Sequence, residues 1–273
     1  MPDLWSLLAL NPLLNCLIAL STLVGNNFGL AIIILTVIVR LILFPLTLKQ
    51  TQSTKAMQSL QPKIQELQKK YGRNQQKLQQ EMMRLYKEAK INPLGCMWPM
   101  LIQFPIWIAL YQSIILALAS TPESLLDLAR HLYSWPMVTQ AIPLNENFLW
   151  LKLSKPDPYL ILAILVGVTM WIQQKMVTPP PTDPRQQSMN QITTLMMPLM
   201  FGMFTLSFPS GLSLYWAISN IVGIIMQYFV GGGWGYLTLP AILRPGGARR
   251  LPAAEQQSKT IREAEKKKGF FKR

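Results

Sequence analysis

Long apolar stretches alternate with polar segments along this chain, and their lengths predict its architecture. A helix needs about 20 mostly apolar residues to cross the hydrocarbon core of a bilayer. Five stretches meet that requirement and are predicted to be transmembrane helices: 28–48, 94–119, 158–177, 190–208 and 211–230. We therefore expect an all-α integral membrane protein with five transmembrane helices.

Another apolar stretch precedes the first predicted span, within residues 1–27. It contains Asn11, Pro12 and Asn15, and it ends in the polar sequence GNN. Polar groups of this kind are costly in hydrocarbon but are tolerated at the membrane surface. We predict an extracytoplasmic interfacial helix here, and a sixth span is the alternative.

The segment 49–90 is polar, but its apolar residues recur with helical spacing. Steps of three and four positions place them on one seam of each of two helices, with Met57, Leu60, Ile64, Leu67 and Tyr71 on the first and Leu78, Met82 and Leu85 on the second. Gly72 lies between the seams, and glycine commonly ends a helix. The pattern predicts an antiparallel helical hairpin outside the membrane.

Charge is sparse and unevenly distributed. Only 14% of the residues are charged, whereas about 25% is usual in soluble domains, and the formal net charge is +14. Twenty-one Lys and Arg residues lie in 49–90, 178–189 and 231–273, against three in 120–157. The positive-inside rule places the first three segments in the cytoplasm, and places 120–157 and the N-terminus outside. We expect the basic tail 231–273 to be disordered, and nothing in the pattern indicates a DNA-binding module.

Arg40 is the most unusual residue, because it is thirteenth of the 21 residues in the predicted span 28–48. An arginine in midspan costs about 2.5–3.5 kcal/mol on insertion scales. No Asp or Glu lies within a predicted span to pair with it, since the acidic residues fall in loops, in the tail or at segment edges. A water-filled cavity that receives a ligand is one interpretation, and a structural arginine bonded to carbonyl groups is the other.

Other polar or amphipathic side chains also fall within the predicted spans, and we take them as candidates for the lining of such a cavity: Gln103, Gln173, Gln174, Trp216 and Asn220. Trp216 and Asn220 are four positions apart and share a helix face. Each residue taken alone is equally explained by hydrogen bonding between helices. Together with an unpaired arginine, the set favours one shared polar cavity.

Catalytic chemistry is not indicated. The chain has one histidine, His131, in a predicted loop, and no HExxH, phosphate-binding or Cys/His ligand motif is present. A serine or cysteine nucleophile would need a neighbouring base. We therefore predict a protein that is not an enzyme and that uses neither a metal nor a cofactor.

Four long motifs resemble the YidC/Oxa1/Alb3 family of membrane insertases. They are LAIIILTVIVRLILFPLTLKQ, LQPKIQELQKKYG followed by QQEMMRLYKE, NPLGCMWPMLIQFPIWIALYQ, and FPSGLSLYWAISNIVG, in the order of that family. The match covers roughly residues 5–230 and is similar to the short form, which lacks a large extracytoplasmic domain.

The resemblance implies five core spans, a cytoplasmic hairpin, and a hydrophilic groove that is open to the cytoplasm and to lipid. The groove arginine of the family corresponds to Arg40, its groove glutamine to Gln173 or Gln174, and its groove aromatic residue to Trp216. Gln103 matches the LIQ pattern of the family, with a less secure role in the groove.

The implied function is insertion and chaperoning of membrane proteins in a bacterial plasma membrane. Hydrophilic tails of nascent membrane proteins would be captured around Arg40, and their apolar segments would be released into the lipid bilayer. The Sec translocon and the ribosome are further candidate partners. One alternative is an ion or solute transporter centred on Arg40, although the sequence shows no inverted pair of broken helices of the kind expected in such a protein. The other alternative is a non-catalytic assembly scaffold.

Overall fold

The computed structural model describes residues 4–72, 74–89, 98–118, 121–139, 141–142, 144–178 and 184–237. These residues form a helical bundle with one small antiparallel sheet. The beginning of the predicted second span and the predicted tail from residue 238 onward lie outside the described residues.

The α-helices of the described part are α1 (Asn11–Leu23), α2 (Phe28–Ile42), α3 (Phe44–Ser59), α4 (Gln61–Tyr71), α5 (Gln75–Glu88), α6 (Trp98–Ala117), α7 (Pro122–His131), α8 (Pro136–Thr139), α9 (Ile161–Val177), α10 (Pro184–Gln191), α11 (Met197–Phe204) and α12 (Ser210–Gly231). Two π-helical turns, Ser6–Leu10 and Ile192–Met196, lead into α1 and α11. The strands β1 (Asn147–Phe148) and β2 (Leu151–Lys152) pair with each other.

Among the described residues, fewer helices are suited to crossing a membrane than the five predicted spans. By length and composition, Ser6–Leu23 and Ser210–Gly231 could each cross a bilayer, and the bent pair α2–α3 could form a third span. The apolar parts of α6 and α9 are shorter. The count of five spans therefore stays a prediction. Because Ser6–Leu23 is itself long enough, the interfacial and the spanning interpretations of that helix both remain open.

The first predicted span is bent. Helices α2 and α3 meet at Leu43 with an angle of 58°, and Pro45 lies in the first turn of α3. Proline lacks a backbone N–H and is accommodated where a new helix begins. The predicted boundary at residue 48 falls inside α3, which continues to Ser59 before the hairpin starts.

Helices α4 and α5 pack against each other within the segment predicted to form the hairpin. The first predicted seam is divided, however, because Met57 lies in α3 and Leu60 lies between α3 and α4. Pro62 lies in the first turn of α4. Asn74 caps α5 by accepting a hydrogen bond from the backbone N–H of Lys77 at 3.1 Å. Gly72 is required at the turn because a Cβ there would lie 2.6 Å from the carbonyl oxygen of Gln68. We call the side of the bundle where α3 leads into this hairpin the hairpin end.

The opposite side, covered by residues 121–160, is called the loop end, and α1 helps to organise it. Asn15 is completely buried. Its side chain donates to the carbonyl of His131 at 2.9 Å and accepts from the backbone N–H of Tyr133 at 2.7 Å. Helix α1 also packs against α2 and α6. Polar residues that were predicted to keep this helix at the membrane surface therefore hold the neighbouring loop.

The main hydrophobic core lies at the loop end. Its fully buried members come from α1, α2, α6, α12 and the loop, and include Leu14, Leu17, Ile18, Phe28, Ile32, Ile114, Leu153 and Leu212. Helix α12 begins within this core, where the backbone N–H groups of Ser210 and Gly211 donate to the carbonyls of Lys155 and Leu153 at 2.7 and 3.1 Å. Close packing and satisfied backbone groups leave the loop end sealed around the start of α12.

Helix α9 packs on one side against α11 and on another against α12. The crossing with α11 is close because it is made by glycines. A Cβ at Gly202 would lie 3.1 Å from the carbonyl oxygen of Ala163 and 3.6 Å from the Cα of Gly167. Small residues at such crossings let helix backbones approach each other, as is common in membrane helices.

Candidate functional site

Helix α12 lies between α2 and α9 and contacts both. Its successive residues therefore point to different neighbours, since each residue turns the helix by about 100°. Ser219 faces Arg40 of α2, and Tyr215 faces Gln103 of α6. Asn220 and Gly223 face α9, and Trp216 faces a set of aromatic rings. The two predicted residues of α12, Trp216 and Asn220, therefore contact different neighbours.

Arg40 lies in the last turn of α2 and is half-buried. Its Nε donates a hydrogen bond to the hydroxyl of Ser219 at 2.8 Å. Within the described residues, no carboxylate comes within 4.0 Å of the guanidinium group. Among the described residues, the hydrogen-bond partner of Arg40 is thus a neutral hydroxyl and not a carboxylate or a backbone carbonyl.

The hydroxyl groups of Ser219 and Tyr215 lie between Arg40 and Gln103, another of the predicted residues. Gln103 donates from its side-chain amide to the hydroxyl of Tyr215 at 2.5 Å. Tyr215 is 4% exposed, and it lies one helical turn before Ser219 on the same face of α12. We call Arg40, Ser219, Tyr215 and Gln103 the Arg40 cluster.

Sequence reasoning missed Tyr215 and Ser219, although they are four positions apart and so share a helix face. The same spacing had singled out Trp216 and Asn220, one position further along. A periodicity search that gave hydroxyl groups the same weight as amides would have found both pairs.

The two candidate glutamines of α9 are placed differently. The side-chain amide of Gln173 packs directly against Gly223 of α12, where a Cβ would overlap it. Gln174 is half-buried, and its backbone carbonyl accepts a hydrogen bond from the backbone N–H of Thr178, the residue that follows α9. Nearby, Asn220 donates to the hydroxyl of Thr169 at 3.3 Å. Gln173 is therefore the glutamine in contact with α12.

Trp216 does not join the Arg40 cluster. Its ring stacks on Trp107 with centroids 5.6 Å apart and an interplanar angle of 7°. Phe201 and Phe208 meet the same ring edge to face, at 5.4 and 5.9 Å. Such ring pairs stabilise packing beyond the area they bury. In the described part of the chain, Trp216 serves as the centre of an aromatic contact between α6, α11 and α12.

Side chains of α3 hold the hairpin ends of α9 and α12 together. Lys55 donates from its ammonium group to the carbonyl of Gly231 at 3.1 Å, where a positive charge suits the C-terminal end of a helix. Gln58 donates to the carbonyl of Val177 at 2.7 Å and accepts from the hydroxyl of Tyr236 at 3.3 Å. We call these contacts the α3 tie.

This chain is similar to known proteins in both sequence and structure. The profile of the family described as "60Kd inner membrane protein" matches residues 19–233. Proteins named "Membrane protein insertase YidC" are 42% identical over 229 residues in Actinobacillus pleuropneumoniae serotype 3 (strain JL03) and 43% identical over 208 residues in Haemophilus influenzae (strain PittEE). The aligned parts cover 83% and 75% of this chain, but only 37% and 33% of those relatives.

A relative of more similar length is the "Membrane protein insertase MisCA" of Bacillus subtilis (strain 168). It is 37% identical over 235 residues, which cover 85% of this chain and 80% of the relative. Among solved structures, "Active YidC insertase crystal structure with the first transmembrane domain resolved" matches with a TM-score of 0.54 and 29% identity. That match covers 77% of this chain and 43% of the other.

Proposed function

Because this chain belongs to the YidC/Oxa1 family of membrane insertases, we propose that it inserts other membrane proteins into the bilayer and that the Arg40 cluster holds their hydrophilic tails during insertion. Its clients are nascent membrane proteins. The proposal for the whole activity rests on relatives, some of which are much longer than this chain. The chain spans just over a third of the length of the first of them.

The observation that carries the proposal is the incomplete pairing of Arg40. The guanidinium group has several N–H donors in a planar fork, and the described hydrogen bond to Ser219 uses Nε alone. A hydrogen bond of a charged group contributes about 1.5–3 kcal/mol, so Ser219 offsets part of the cost of the charge in the membrane. The remaining donors are left for water or for an acidic or polar group of a client.

The position of the core supports access from one side only. The residues of the main hydrophobic core lie on the loop-end side of Arg40, whereas the arginine itself is half-buried. A client tail would therefore reach the Arg40 cluster from the hairpin end or from the lipid. This arrangement shortens the apolar path that the tail has to cross.

No catalytic step is needed for this function. The client's apolar segment is transferred from water into lipid, at about 25 cal/mol per Å² of apolar surface. A membrane potential contributes about 2.3 kcal/mol per charge and 100 mV when the tail carries charge. The protein lowers the barrier for the hydrophilic tail, and the hydrophobic effect drives the overall reaction.

We also propose a plasma-membrane orientation in which the hairpin end faces the cytoplasm and the loop end faces outward. In a background with Cys16→Ser and Cys96→Ser, single cysteines would be introduced by Lys69→Cys in α4 or Glu123→Cys in α7. A membrane-impermeant maleimide added to intact spheroplasts should label Glu123→Cys immediately and Lys69→Cys only after permeabilisation. The opposite order of labelling would reverse the proposed orientation.

The direct test of the function uses purified protein in liposomes and a single-span client with an acidic N-terminal tail. We expect protease-protected tails to accumulate well above the level in empty liposomes, because the Arg40 cluster lowers the cost of moving the tail. A client with the same span and no tail should depend much less on the protein. Insertion no better than in empty liposomes would contradict the proposal and leave the transporter and scaffold alternatives.

A further inference from the structure

A polar cavity lies at the hairpin end, away from the Arg40 cluster. It has a volume of about 310 Å³ and is lined by residues at the end of α9, by α10 and by the π-helical turn before α11. Trp171 and Lys175 line it from α9. They lie on the opposite face of that helix from Gln173, since two residues correspond to a rotation of about 200°. The cavity is thus separated from α12 by the body of α9.

The lining is suited to an anion. Lys175 supplies an ammonium group, and Thr178 and Thr194 supply hydroxyl groups. The side chain of Thr194 is 9% exposed and forms no hydrogen bond with the described residues. Its neighbour Thr193, by contrast, donates to the carbonyl of Met189 at 3.0 Å. This hydroxyl is therefore available to donate a hydrogen bond to a ligand atom in the cavity.

No acidic residue lines the cavity, and no described carboxylate lies within 4.0 Å of the Lys175 ammonium group. The positive charge is therefore available to a ligand. A zwitterionic headgroup would bring an ammonium group that finds no carboxylate partner here. The electrostatics favour a ligand whose net charge is negative.

The rim of the cavity is apolar and faces outward. Leu195, on the cavity wall, is 59% exposed, and Ile192 and Leu199 beside it on the same helical segment are 53% and 58% exposed. The ring of Trp171 is 39% exposed. Exposed apolar side chains next to a tryptophan and a lysine are typical of the depth at which acyl chains meet headgroups.

We propose that this cavity binds the phosphate of an anionic phospholipid, with Lys175 and Thr194 contacting the phosphate and with Trp171 and Leu195 contacting the glycerol and the upper acyl chains. The π-helical turn at Ile192–Met196 shapes the cavity by turning Thr194 inward, and such turns are frequent at functional sites. The site is independent of client insertion and would be occupied in a resting protein. A polar cavity at the end of two membrane helices is a known setting for binding of anionic headgroups.

The test is native mass spectrometry of the full chain released from micelles that contain phosphatidylglycerol and phosphatidylcholine. We expect the wild-type chain to retain one phosphatidylglycerol in preference to phosphatidylcholine. Lys175→Gln should lower that occupancy by about fivefold, and Thr194→Val by about tenfold, because it removes a hydrogen bond to a charged group without changing shape. Lys175→Arg keeps the positive charge and should retain the lipid, which would show that the position tolerates substitution.

Matched controls make the result specific. Thr193→Val removes a hydroxyl that is already bonded to the backbone, and Lys69→Gln removes a lysine from the hairpin helix α4, so both should bind as wild type does. Inorganic phosphate and an acidic peptide would be added as competitors. Equal occupancy in all variants would overturn the proposal. Displacement by inorganic phosphate would assign the cavity to a free anion, and displacement by the peptide would assign it to client tails; either result also overturns it.

Discussion

Replacing Arg40 with alanine is expected to reduce insertion of a client with an acidic tail by roughly ten- to a hundredfold in reconstituted liposomes. The size follows from the cost of a charged residue at the centre of a membrane, about 2.5–3.5 kcal/mol, since the arginine would compensate most of that cost for a client carboxylate. Insertion would be scored by protease protection of the tail at several times after mixing.

Arg40→Lys separates the charge of this residue from its shape. Lysine keeps a positive charge but lacks the planar fork of donors. We expect it to restore most of the insertion, because an ammonium group can still contact the acidic tail directly or through a bridging water. A lysine variant as inactive as the alanine variant would show that the guanidinium geometry, including the bond to Ser219, is required.

Two controls test whether the loss of insertion is specific to the positive charge at residue 40 and to the acidic tail. Lys69→Ala removes a positive charge from the hairpin and should leave insertion of the same client unchanged. A client with an uncharged tail should be inserted almost equally by wild type and Arg40→Ala. Equal insertion of the acidic client by wild type, Arg40→Ala and Arg40→Lys would remove Arg40 from the mechanism.

Gly29→Ala is expected to destabilise the protein by about 2 kcal/mol, which is within the usual cost of overpacking a core. Gly29 is buried in the first turn of α2, where a Cβ would overlap Phe148 of β1 at the Cβ and the ring. The clash involves the base of the phenylalanine side chain, so it cannot be relieved by moving the far end of the ring. The β1–β2 segment would have to shift away from α2.

Thermal unfolding in detergent would measure this effect through the midpoint temperature. Gly167→Ala is the matched control, since it also lies inside a helix but its Cβ would meet nothing nearer than the carbonyl oxygen of Pro198 at 3.6 Å. The double variant Gly29→Ala/Phe148→Ala should be more stable than the sum of the two single changes implies, because the clash is then absent. Additive effects of the two substitutions would show that Gly29 and Phe148 do not compete for space.

The sequence predicted the helical class, and it singled out the polar segment of α4 and α5 and the residue Arg40 for attention, because each depends on local properties. Apolar length defines a candidate span, seams at spacings of three and four define the hairpin helices, and a charge within an apolar run is visible without a structure.

Features that depend on contacts between distant parts of the chain could not be predicted. The overlap of Gly29 with Phe148 and the bond between Arg40 and Ser219 join residues that are far apart in sequence. The orientation of α12 also decided which polar residues meet. A shift of one position moves a side chain by about 100° around a helix, so Tyr215 reaches Gln103 while Trp216 packs on Trp107.

The α3 tie has a mechanical consequence. Helix α3 is 16 residues long and therefore extends for about 24 Å, with Leu60 alone separating it from α4. Its far half is hydrogen-bonded to the ends of α9 and α12 through Gln58 and Lys55. The hairpin is thus attached to α3, which begins at the bend at Leu43. A displacement of the hairpin would therefore act on α9 and α12, the helices that carry Gln173 and Asn220, and separation of those helices would require the hydrogen bonds of the α3 tie to break or α3 to move.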